Sequence, residues 1–85
     1  MEITLSAGEI DVLFLQHPRT ERRGGYQSFL VQLQRKTDRA TGCLRLSAYD
    51  LERIPRYAFS YGNGGWENRL RRIFERHLGP RLGRE

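Results

Sequence analysis

Between Gly64 and Leu78 the chain reads GGWENRLRRIFERHL, and at 3.6 residues per turn Trp66, Leu70, Ile73, Phe74 and His77 fall on one face. Arg69, Arg72 and Arg76 fall on the flank opposite Phe74. That division predicts a helix whose apolar face is covered by the rest of the protein and whose arginines look outward. A similar period from residue 25 to about residue 38 turns Tyr26, Phe29, Leu30 and Leu33 inward and Gln27, Gln34 and Arg35 away, with Thr41-Gly42 closing the segment.

Two further helices are marked by their starts. Ser6 precedes Glu9 by three residues and Ser47 precedes Asp50 by three, the spacing at which each side chain satisfies the other residue's backbone N–H. The first of these helices is predicted from residue 7 to about residue 16. Ile10, Val12, Leu13, Phe14 and Leu15 make it apolar nearly all round, and Pro18 stops it. The other carries Leu51, Ile54, Tyr57 or Ala58, and Tyr61 straight through Pro55, which predicts a kink or two short helices. Residues 2–5 and 43–46 alternate as short strands and are expected to pair, although two strands alone are marginal in water. Residues 17–25, HPRTERRGG, have turn formers and charges but no apolar period and are expected to form an exposed loop. Tyr61-Gly62-Asn63-Gly64-Gly65 reads as a left-handed terminator, Gly79-Pro80 closes the last helix, and residues 81–85 are expected to be a flexible tail.

The pattern is duplicated. ITLSAGEI at residues 3–10 matches LRLSAYDL at residues 44–51, and Gly24-Gly25-Tyr26-Gln27 through Leu30 and Leu33 matches Gly64-Gly65-Trp66-Glu67 through Leu70 and Ile73. The two offsets agree to within one residue. The expected fold is therefore mainly α with a minor two-stranded antiparallel β-ribbon, built as a tandem βαα + βαα pseudo-two-fold repeat. Units 1–41 and 42–79 would share one domain spanning residues 1–80. Its core should include Leu5, Ile10, Leu13, Phe14, Phe29, Leu30, Leu33, Leu46, Leu51, Ile54, Trp66, Leu70, Ile73 and Phe74.

Length changes the picture by limiting it: 85 residues suit one small domain that buries about two-thirds of its unfolded surface, with little room for a deep cavity. The single Cys43 excludes an internal disulfide framework and a cysteine zinc site, and is read as a small core residue. The opening MEITLSAGEI has no basic stretch followed by an apolar run, and no segment approaches eighteen apolar residues, so a cytoplasmic protein with no membrane partner is expected. The net charge of +5 rests on fourteen arginines beside one lysine, Lys36. Arginine's planar fork suits phosphates, carboxylates and flat bases better than an ammonium does. A GC-rich genome would leave the same composition.

Chemistry adds little. His17 and His77 are the only histidines, and a two-histidine mechanism on RNA would need both beside one phosphate. They occupy unmatched places in the repeat, no carboxylate or nucleophile orients either, and His77 sits where a helix C-terminus favours a cation. Ser6 and Ser47 read as caps, metal-ligand spacings are absent, and the Gly-Gly pairs lack the dinucleotide fingerprint, so no catalytic residue, metal or cofactor is expected. The Gly-Gly turns offer backbone donors to an anion, but tight-turn geometry is their better explanation.

The arginines are the stronger candidates. Arg19, Arg22 and Arg23 project from the loop, Arg35, Lys36 and Arg39 cluster at the end of the second long helix, and Arg69, Arg72 and Arg76 form a row. Glu67 and Glu75 flank Arg71 at helical spacing, which makes Arg71 structural. Among Tyr49, Tyr57, Phe59 and Tyr61, Phe59 is expected to be the most exposed.

With the YGNGG turn and the WENRLRRIF helix beside the duplication, the chain resembles small proteins of phages, prophages and plasmids. Single-domain anti-CRISPR inhibitors are similar in size, in their lack of enzymatic motifs and in simple packing. The resemblance implies a non-catalytic binding role and designates no site residue. The expected function is a small, basic, non-enzymatic binder that places Arg19, Arg22, Arg23, Arg69, Arg72 and Arg76 on nucleic acid or a ribonucleoprotein. The alternative is an anti-CRISPR-type inhibitor docking on an acidic protein surface of a host defence complex; a small ribonuclease using His17 and His77 is a third reading.

Overall fold

A computed structural model describes residues 1–84. The elements are β1 (Glu2–Thr4), α1 (Ala7–Leu13), a 3-10 helix (Pro18–Arg23), α2 (Gly25–Lys36), β2 (Cys43–Arg45), α3 (Ala48–Phe59) and α4 (Gly64–Leu78). The protein is thus mainly helical with one two-stranded antiparallel sheet.

The ribbon pairs Glu2 with Arg45, Ile3 with Leu44 and Thr4 with Cys43. Beyond it, Leu5 N–H donates to the Gly42 carbonyl at 2.8 Å and Leu46 N–H to the Met1 carbonyl at 2.6 Å. Alternation along each strand sends Ile3, Leu5, Leu44 and Leu46 into the core. Gly42 is required here: its φ is +81°, and a Cβ would stand 2.4 Å from the Leu5 carbonyl oxygen.

Both helix starts are closed as their spacing predicts. Ser6 accepts from Glu9 N–H while the Glu9 carboxylate accepts from Ser6 N–H, and Ser47 and Asp50 repeat the arrangement at α3. Other boundaries move. α1 stops at Leu13 rather than near residue 16, because Gln34 of α2 turns inward and its amide donates to the carbonyls of Leu13 (3.0 Å) and Gln16 (2.8 Å). Gln34, expected to point away, is therefore buried, and it satisfies acceptors that the end of α1 leaves open. α2 ends at Lys36, two residues early, where the Thr37 hydroxyl donates back to the Leu33 carbonyl. Residues 18–23, expected as loop, form a 3-10 helix: Pro18 opens it, His17 Nδ1 accepts from Arg19 N–H at 3.1 Å, and the Thr20 hydroxyl donates to the His17 carbonyl. α3 runs as one helix through Pro55, not two, with Ile54, Pro55, Tyr57 and Ala58 all buried along it. α4 keeps the predicted bounds, capped by Asn63 and ended by Gly79 at φ +90°.

The core contains ten of the expected side chains as buried residues, while Ile10, Phe14, Leu51 and Trp66 pack against it half-buried. It also takes in Ile3, Val12, Tyr26, Leu44, Tyr57, Ala58 and Leu82. Leu82 was expected in the tail, yet it is fully buried, and Arg84 donates to the Ser60 hydroxyl, so residues 81–84 fold back on the domain. Glu85 lies outside the described residues.

Candidate functional site

α4 packs on α1, and the partners run in opposite directions along the two segments: Arg76 meets Glu9, and Arg69, seven residues earlier, meets Gln16, seven residues later. At the first contact Glu9, 7% exposed, accepts from Arg76 Nε (3.1 Å) and Nη2 (2.9 Å) and from Ser6 N–H (2.8 Å), with His77 Nε2 at 3.0 Å. The same Nε2 lies 3.2 Å from Arg76 Nη2, so the three side chains share one polar cluster. Burial pushes the Glu9 carboxyl up, but Arg76, Ser6 and His77 together outweigh it and lower its pKa from 4.5 to about 2. Arg76 Nη2 also donates to the Thr4 carbonyl, so this candidate arginine is neutralised and built into the frame.

At the second contact Arg69 Nη1 donates to a neutral amide oxygen, Gln16 Oε1, at 2.8 Å and keeps its net charge. Arg72 lies between the two, exposed, and has no carboxylate partner among the described residues. It lines a shallow groove with Glu9, Asn68, Arg71, Glu75, Arg76 and Pro80. Arg71 there pairs with Glu67 at 3.1 Å and Glu75 at 3.5 Å, as its spacing implies.

The 3-10 helix carries the other candidates. His17, Arg19, Thr20, Arg22 and Arg23 line one depression, and the three arginines are exposed and without carboxylate partners among the described residues. Glu21, in their midst in sequence, turns to Arg35 and holds it bidentately at 2.5 and 2.6 Å. Gln16 joins the two groups: its amide nitrogen donates to Thr20 Oγ1 at 2.6 Å while its oxygen accepts from Arg69. The basic 3-10 helix and the unpaired part of the α4 row are thereby connected through one side chain. Sequence reading gave Gln16 no role, and its partner Arg69, 53 residues away, leaves no local signal.

An aromatic cluster borders Arg69. Tyr26, which follows the Gly24-Gly25 turn, stacks on Trp66 with centroids 4.5 Å apart and planes 18° apart. The Tyr26 hydroxyl is buried beside Arg69 but makes no hydrogen bond; burial raises its pKa above 10 and the guanidinium opposes the rise. Phe59 is not the exposed ring: Arg71 and Arg84 lie over it, whereas Tyr49 and Tyr61 are each 55% exposed.

His17 and His77 do not converge. His77 is half-buried against Glu9, while His17 caps the 3-10 helix at the other end of the seam, about 10 Å of α4 away as measured from Arg76 to Arg69. Among the described residues no group of three His, Cys, Asp or Glu side chains is placed to hold a metal ion. Nor, among the described residues, is any helix long and apolar enough to cross a membrane. Comparison with protein families, with curated proteins and with solved structures gives no match to this chain.

Proposed function

We propose that the protein is a non-enzymatic nucleic-acid-binding domain whose contact surface is made by Arg19, Arg22, Arg23, Arg69 and Arg72. One observation carries this reading: the cations are sorted. Arg35, Lys36, Arg45, Arg56, Arg71 and Arg76 are each taken by a carboxylate and Arg39, Arg53 and Arg84 lie over aromatic rings, while those five, and Arg81 apart from them, have neither among the described residues. Four of the five are connected through Gln16 and Thr20. Guanidinium groups not neutralised by an internal carboxylate are the form in which arginine neutralises phosphate. Arg76 belongs to the frame and is left out of the surface.

The scaffold reading is a pseudo-two-fold pair of βαα units. It is supported by the pairing of Ile3 with its repeat equivalent Leu44 and by the reciprocal bonds Leu5-to-Gly42 and Leu46-to-Met1. It is supported also by two crossed ion pairs: Glu9 of the first unit with Arg76 of the second, and Asp50 of the second with Lys36 of the first. Tyr26 stacking on its equivalent Trp66 fits the same axis.

Binding to a labelled oligonucleotide across a salt series tests the function. Each phosphate contact contributes roughly 0.7 to 0.9 to the slope of log K against log salt, so five contacts predict a slope near −4. Replacing Arg19, Arg22, Arg23 and Arg72, the four exposed members, by glutamine should flatten the slope and leave the thermal midpoint nearly unchanged. Salt-independent affinity, or none for DNA or RNA, rejects the reading. The second reading, an inhibitor seated on an acidic protein surface, draws on Leu15, 65% exposed beside Gln16, because an apolar side chain within a basic patch suits a protein partner. It predicts a stoichiometric complex with protein alone.

A further inference from the structure

Three guanidinium-covered rings leave exposed Tyr61, set against half-buried Trp66, as an aromatic surface without such cover among the described residues. Arg39 lies 4.3 Å over Phe14, Arg53 4.2 Å over Tyr49, and Arg71 and Arg84 over Phe59. Tyr61 and Trp66 carry no such cover. Tyr61 is 55% exposed yet held in place: it stacks on the buried Tyr57 at 5.5 Å and 19°, and meets Trp66 edge-on at 5.7 Å. Trp66 is itself braced on Tyr26. A ring fixed from behind offers a flat apolar face with little ordering left to lose on binding.

The position of this plate relates it to the basic surface. Trp66 precedes Arg69 by three residues on α4, so the two lie one helical turn apart on neighbouring positions. Tyr26, beneath Trp66, sits beside the Arg69 guanidinium and follows Arg22 and Arg23 through the Gly24-Gly25 turn. Arginines without carboxylate partners therefore adjoin an aromatic cluster whose exposed member is Tyr61. A duplex hides its base faces in the stack, whereas an unpaired strand can lay a base on a ring while its phosphates meet arginine.

We propose that the nucleic acid taken by this surface is single-stranded, its bases stacking on Tyr61 and Trp66 while Arg69 and the arginines of the 3-10 helix hold its phosphates. The inference rests on the function proposed above and adds the strandedness and the stacking residues.

Trp66 is the sole tryptophan, so its fluorescence reports the site directly. The full chain is titrated, by fluorescence and by anisotropy, with a fifteen-nucleotide oligo(dT), an abasic strand of the same length and charge, and a duplex of the same length. The expected result is quenching of Trp66 by oligo(dT) and affinity at least about tenfold tighter than for the abasic strand or the duplex. Tyr61→Ala should weaken oligo(dT) binding about tenfold and leave abasic binding unchanged. Trp66→Phe, read by anisotropy, should keep most of the affinity because a ring remains. Circular dichroism melting of both variants checks that the fold is intact. Equal affinities for the three probes, or a Tyr61→Ala variant that binds oligo(dT) like the parent, overturns the stacking proposal while the arginine surface stands. No binding to any probe removes both, and leaves the acidic-protein reading.

Discussion

The junction of α1 and α4 rests on the charge of one side chain, and Glu9→Gln isolates that charge because an amide oxygen can still accept from Ser6 N–H. A carboxyl held near pKa 2 rather than 4.5 contributes about 3 kcal/mol to folding above the higher value, at 1.36 kcal/mol per tenfold. Arg76 is 59% exposed, so solvent screening reduces the contribution to about 2 kcal/mol. The folded pKa is depressed, so the contribution is complete above about pH 5 and is lost as pH falls from 4.5 toward 2. At pH 3 somewhat under half of it, about 40%, should remain. Urea unfolding of the parent and of Glu9→Gln, followed by circular dichroism at pH 7, 4 and 3, should therefore give a stability gap that narrows with acid. At pH 7 the variant should melt roughly 8 to 16 °C lower. A gap that is the same at pH 7 and pH 3, or smaller than about 0.5 kcal/mol at pH 7, would refute the claim that the ionised carboxylate fastens α1 to α4.

Three other outcomes follow from the same contacts. Gln34→Leu keeps the bulk but leaves the carbonyls of Leu13 and Gln16 without their buried donor, which should cost about 2 to 4 kcal/mol in urea unfolding. Gly42→Ala drives a Cβ onto the Leu5 carbonyl oxygen at a positive φ, and should destabilise the protein by more than about 2 kcal/mol in the same assay. Arg72→Gln and Arg76→Gln should separate: the first should lower the salt slope of nucleic-acid binding by about 0.7 to 0.9 with an unchanged melting point, and the second should lower the melting point.

What was legible in the sequence was what adjacent residues decide. The boxes at Ser6 and Ser47, the bounds of α4 and the pairing of Arg71 all depend on partners three or four residues away, and each stands as its spacing implied. Arg72 and Arg76 look alike in a helical projection; Glu9, 67 residues from Arg76, separates a surface arginine from a structural one. Gln34 was misjudged for the same reason, since its acceptors lie 18 and 21 residues away on a helix that ends early to meet it. Pro18–Arg23 shows no apolar period because side-chain bonds from Gln16 and His17 organise it, and such bonds leave no hydrophobic signature. Leu82 is one apolar residue after a proline, too little pattern to mark a segment that packs.

The proposed duplication also accounts for where the binding surface would lie. In that reading the two units treat their charges alike at equivalent positions, since each capping carboxylate is buried and takes a basic residue from the proposed other unit. Those pairs hold the halves together and, being internally neutralised, are closed to a ligand. The halves diverge after the first helix of each: α3 continues to Phe59, whereas α1 stops at Leu13 and gives the following residues to a turn and the 3-10 helix. Five of the arginines lacking carboxylates lie at that divergence, on the 3-10 helix itself and on the stretch of α4 that Gln16 ties to it, while Arg39, Arg53 and Arg84 are turned onto aromatic rings elsewhere. A symmetric pair of units has no reason to bury Gln34 at one end while its counterpart, Phe74, is an ordinary core residue at the other. Gln34 is the polar group that donates to the carbonyls at the end of the shortened α1, so in the duplicated reading the departure from symmetry lies beside the proposed basic surface.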